Sequence, residues 1–156
     1  MKERPYRIVG SRDYRAGCVV KITYNGKYVV AKCKDSFQGL LAIERGLNAF
    51  LRGGKNNPDG YFCHFYAFVK ANPDAKEGIR ATYLSEENDT PYQLLVLEQQ
   101  ALDAGRDDPN MLNNQTMAHI PPYDEATGLY GWLPPAAVLN YRNWLKRRKR
   151  ARKTAG

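Results

Sequence analysis

The chain has 156 residues, 43% of them hydrophobic and 12% aromatic, and a formal net charge of +8. That length suits one domain with tails, able to bury roughly 70% of the surface its unfolded form would expose, and the apolar share is that of a folded protein. No apolar run approaches the roughly 20 residues that span a bilayer, and no signal-peptide stretch follows the charged start Met1-Lys2-Glu3-Arg4, so the expectation is a cytoplasmic origin without membrane contact.

Residues 1–16 read as a basic arm, in which Lys2, Arg4, Arg7, Arg12 and Arg15 outnumber Glu3 and Asp13. The β-branched runs 18–24 and 27–33 flank Asn25-Gly26, the dipeptide that best tolerates the positive φ angles of a two-residue hairpin turn. In that register Val20 pairs with Ala31 and Ile22 with Val29, all on one face, and Cys18 lies opposite Cys33, a placement that either cross-links the two or, more commonly, buries them as reduced thiols. Asp35-Ser36 offers an N-cap, and Phe37, Leu40, Leu41, Leu47, Phe50 and Leu51 follow at helical spacing until Gly53-Gly54. Within that helix Gly39 and Gly46 each cost about 1 kcal/mol relative to alanine. After a loop at 56–60, the run 61–70 is strand by composition and helix by the stripe Phe62, Phe65, Tyr66 and Val69; the two readings stay open.

Residues 79–85 alternate like a strand, and Thr90-Pro91 is a strong helix start. That helix runs to about Gly105 with an apolar stripe of Leu94, Leu95, Ala101 and Leu102, and Glu98 falls in the same stripe. The proline-rich stretch 117–134 reads as an ordered wrapping loop, followed from 135 to 156 by a helix packed through Val138, Tyr141, Trp144 and Leu145 and ending in a basic tail. Lys146, Arg147, Arg148, Lys149, Arg150, Arg152 and Lys153 supply seven positive charges, so taking them from the net +8 leaves +1 for everything before them. Cys18, Cys33, Cys63, His64 and His119 form no recognisable zinc pattern. The fold class expected is α+β, a small antiparallel sheet of the hairpin plus a third strand, flanked by helices.

Three segments carry a resemblance: Val19-Val20-Lys21-Ile22-Thr23 with Asn25-Gly26-Lys27 and Val29-Val30-Ala31-Lys32-Cys33-Lys34-Asp35, then Leu94-Leu95-Val96-Leu97-Glu98-Gln99-Gln100, then Leu112-Asn113-Asn114. Together they are similar to the opening hairpin, the glutamate helix and the asparagine segment of the GIY-YIG nuclease domain, over about residues 17–115, which implies a domain at 17–116. The resemblance implies a helix at 61–70 and an active site lined by the motif tyrosines, a helix arginine and a metal-binding glutamate. Here GIY has become Cys18-Val19-Val20 and YIG has become Val29-Val30-Ala31, and the arginine position falls near Gly39 or Leu40. Valine offers neither a proton acceptor nor a hydrogen-bonding group, and glycine or leucine cannot stabilise phosphate charge. Tyr24, Tyr28 and Arg45 are the nearest substitutes, each displaced from the family position.

By resemblance Glu98 is a lone carboxylate ligand for Mg²⁺ or a structural acceptor, and Asn113 and Asn114 either orient that site or are turn residues. The seven basic residues of 146–153 are expected to contact nucleic acid or neighbouring protein subunits. Tyr123, Tyr130, Trp132 and Trp144 either stack on bases and partners or cement the loop to the core. The leading expectation is a non-catalytic, cofactor-free accessory protein, for instance part of a DNA-containing particle such as a phage virion. Its rivals are a Mg²⁺-dependent endonuclease with a rebuilt site and a stand-alone nucleic-acid-binding protein.

Overall fold

The computed structural model describes residues 7–10, 13–53, 62–73 and 78–155, the side chains of 152–155 excepted. Lys2, Glu3, Arg4, Arg12 and the loop at 56–60 lie outside those residues. Strands β1 (Ile8–Val9), β2 (Cys18–Tyr24), β3 (Lys27–Cys33) and β4 (Ile79–Tyr83) form one sheet in the order β1-β4-β2-β3. The hairpin of β2 and β3 turns on Asn25 and Gly26, whose φ angles of 49° and 80° are both positive, and pairs Cys18 with Cys33, Val20 with Ala31 and Ile22 with Val29. β4 runs antiparallel to β2, whereas β1 joins β4 in parallel, so the sheet is mixed rather than antiparallel. A two-residue strand leaves no alternation to read, which is why the arm at 1–16 showed only its charge.

Helices α1 (Ser36–Leu51) and α2 (Cys63–Ala71) cover one face of the sheet; α3 (Pro91–Gly105) covers the other, and α4 (Pro135–Ala155) packs on α3. Asp35 caps α1 by accepting from the Phe37 and Gln38 N–H groups, and Gly53 at φ 80° follows its end. Phe37, expected on the apolar stripe, is instead 50% exposed and meets Tyr14 edge-on at 5.4 Å. The ambiguous run resolves as helix over Cys63–Ala71, with Phe65, Tyr66 and Val69 as its buried residues. Thr90 and Gln93 cap α3 reciprocally, with Pro91 in the first turn. The wrapping loop is not wholly irregular, since β5 (Tyr123–Asp124) and β6 (Leu129–Tyr130) form a small hairpin within it.

The two glycines of α1 are explained by close packing. A Cβ on Gly39 would lie 2.6 Å from both Cβ and Sγ of Cys33, and one on Gly46 would lie 2.8 Å from the Tyr66 hydroxyl. Their helix-propensity cost lets α1 approach β3 and α2. Cys18 and Cys33 are free, buried thiols that hydrogen-bond to each other; this lowers the Cys18 pKa and raises that of Cys33, which burial raises further. No described helix is long and apolar enough to cross a membrane.

Candidate functional site

Glu98 sits on the inward stripe of α3 with Leu94, Leu95 and Leu102, and is 2% exposed. A carboxylate buried among leucines must be compensated, and Lys32 of β3 compensates it. The Lys32 ammonium donates to Glu98 Oε1 at 3.0 Å and to the His119 carbonyl at 2.5 Å, and the two charged side chains are only 4% and 3% exposed. An ammonium therefore occupies the place beside the carboxylate that a divalent cation would need. The residues present do not fit a metal, and among the described residues no three His, Cys, Asp or Glu side chains come together as ligands.

Alternation along the hairpin decides what else can reach Glu98. Val20, Ile22, Val29 and Ala31 face α1 and α2, packing with Ile43, Leu47, Phe65 and Val69. Val19, Val30 and Lys32 belong to the opposite face, where Leu94 and Leu102 of α3 close over the sheet. The sheet thus separates Glu98 from Val20 and Val29, positions that the resemblance assigns to one site. Gly39 is against Cys33 on the far face too, with no room for a longer side chain, and Arg45 is exposed. Tyr24 is fully buried with its hydroxyl donating to the Asn72 carbonyl. Tyr28 donates to the Asp108 carboxylate at 2.9 Å; its own burial and that bond raise the phenol's pKa, while the Asn110 N–H and the Tyr28 hydroxyl lower that of Asp108.

Asn113 and Asn114 act as stitches. The Asn113 amide accepts from Val30 N–H at 2.8 Å and donates to Val30 C=O at 2.9 Å, imitating a paired strand residue. With the Tyr28 N–H donating to the Asn110 carbonyl and the Leu112 N–H donating to the Tyr28 carbonyl, this closes the outer edge of β3. Asn114 accepts from the His64 N–H in the first turn of α2, whose own N-cap residue Phe62 supplies no side-chain bond.

Gln99 was not singled out by its sequence position, yet it is the most connected polar side chain of this region. Its Oε1 accepts from Ala118 N–H at 2.9 Å and the Tyr141 hydroxyl at 2.7 Å, while Nε2 donates to the Thr116 carbonyl at 3.0 Å and Asp103 Oδ1 at 3.1 Å. Only its place one residue beyond Glu98 on the inward face of α3 hinted at burial.

On α4, Val138 and Tyr141 are buried and Trp144 and Leu145 partly so, as their spacing predicts. Tyr130, Trp132 and Trp144 pack against the cluster of Leu95, Leu133 and Val138, so they cement the loop, while Tyr123 remains 51% exposed against Tyr130. Arg148 pairs with Asp103 and lies over the Trp144 ring at 4.9 Å; Lys146, Arg147, Lys149 and Arg150 are exposed. The side chains of Arg152 and Lys153 lie outside the described residues.

No family model, curated protein or solved structure matches the chain.

Proposed function

We propose that this chain is a GIY-YIG-like domain that does not cut nucleic acid and works as a contact module, its basic C-terminal helix holding nucleic acid or a neighbouring subunit of a larger assembly, for which a DNA-containing particle such as a virion is a fitting setting. The observation that carries this is the Lys32–Glu98 pair: the carboxylate that the resemblance assigns to metal is buried and neutralised by an ammonium. Support comes also from Asn113 and Asn114, both engaged by backbone groups of Val30 and His64. The exposed Lys146, Arg147, Lys149 and Arg150 on one helix offer phosphates or carboxylates several charges at once.

DNA binding tests the reading when measured over a range of salt concentrations, once in EDTA and once in Mg²⁺ with the salt adjusted to match. The expected result is sequence-independent affinity that falls steeply with salt and is the same in both. Replacing Lys146, Arg147, Lys149 and Arg150 by glutamine should flatten the slope by up to about four phosphate contacts. Binding that requires Mg²⁺, or that ignores those four substitutions, overturns it.

A further inference from the structure

Two grooves of opposite charge lie along α3. Towards its C-terminal end, a cavity of about 500 Å³ opens between α3 and α4. Its apolar lining includes Met117 and Leu139, which are 51% and 59% exposed, and Leu145. Five cations surround them, Arg106, Arg142, Lys146, Arg148 and Lys149, against one carboxylate, Asp103. Asp103 is already engaged by Gln99, Arg106 and Arg148. Among the described residues Lys146 and Lys149 meet no carboxylate.

The second groove, about 350 Å³, lies beside the N-terminal half of α3. Leu84, Tyr92, Val96 and Leu97 line it, Glu86 and Asp89 rim it, and neither lysine nor arginine contributes. Leu84 is 37% exposed, and Glu87 is exposed beside Glu86.

We propose that these grooves are the two halves of a contact between copies of this chain, the basic groove and the exposed Leu139 of one copy meeting Leu84 and the acidic rim of the next. It rests on the contact-module reading and gives that module one partner, a second copy. Charge complementarity selects the occupant: each surface combines an apolar floor with the charge that the other lacks. Nucleic acid fits the basic groove less well, because no aromatic side chain lines it to stack a base and phosphates leave its apolar floor unmatched. A contact between unlike surfaces is heterologous, so copies add until a ring closes or a filament grows.

Sedimentation velocity of the full chain at low and high salt tests this. The wild type is expected to exceed the monomer mass of 17.7 kDa at low salt and to return to it at high salt. Lys146→Glu/Lys149→Glu and Glu86→Lys/Glu87→Lys each weaken self-association by roughly tenfold or more at low salt. Mixing the two variants, or combining all four substitutions in one chain, restores it. Circular dichroism of each variant separates loss of contact from loss of fold. A wild type that stays monomeric at low salt, or variants that fail to associate on mixing, overturns the contact between copies. If that monomer still binds DNA with a steep salt slope, the contact-module reading stands without it.

Discussion

Lys32 Nζ lies 3.0 Å from Glu98 Oε1 in the layer between β3 and α3, and the pair joins the sheet to the helix through two buried charges. Removing one partner leaves the other uncompensated. Lys32→Met should therefore lower unfolding free energy by about 3–5 kcal/mol, and Glu98→Leu by a similar amount. The double variant, apolar on both sides, should lose far less than the sum. Urea denaturation of the four proteins checks it; additive losses would mean that the two side chains do not interact.

Gln99 joins α3 to α4 and to the segment 116–118, so Gln99→Leu should cost roughly 2–4 kcal/mol by leaving Ala118 N–H and the Tyr141 hydroxyl without their acceptor. Tyr141→Phe, which removes the bond more gently, should cost about 1 kcal/mol. The same urea titration measures both.

Burial, and secondarily the nearby Glu98 carboxylate, pushes the Tyr141 phenol up to about 12; burial, and secondarily Cys63, pushes Tyr66 to about 12. A folded pKa above the unfolded value near 10 gives stability that is fully present below pH 10 and lost as pH rises towards 12. Tyr141→Phe and Tyr66→Phe should each make stability less sensitive to pH in that window. Melting temperatures recorded from pH 9 to about 12 supply the comparison, and an unchanged alkaline slope in both variants would refute the burial account.

Gly39→Ala pits helix propensity against space. Alanine gains about 1 kcal/mol in an open helix, but here its Cβ would fall 2.6 Å from Cβ and Sγ of Cys33, so the net effect should be a loss of about 1–3 kcal/mol. A more stable Gly39→Ala protein would show that α1 is not held as close to β3 as described.

Much of the fold is legible because local chemistry and tertiary need agree. Asn25-Gly26 fixes the turn and so the whole register of β2 and β3, and Thr90, Pro91 and Gln93 fix the start of α3 whatever packs on it. The run 61–70 is ambiguous in sequence because aromatic residues serve either period, and β1 because two residues make none. The candidate site was half legible: Glu98 stands out as a carboxylate in an apolar stripe, whereas Lys32, on a strand of alternating faces, looks like any solvent-facing lysine. Only the closing of α3 over that face reveals it as the partner. Asn113 looks like a turn residue for the same reason, because its bonds run to a strand 83 residues away.

We propose that Glu98, paired with Lys32, serves structure and not catalysis. It is tested most directly by incubating the purified chain with supercoiled and single-stranded DNA in Mg²⁺, in Mn²⁺ and in EDTA, beside a Glu98→Gln variant shown by circular dichroism to be folded. Intact DNA is expected in every arm at high protein concentration. Metal-dependent cleavage by the wild type that disappears in the folded variant would contradict it.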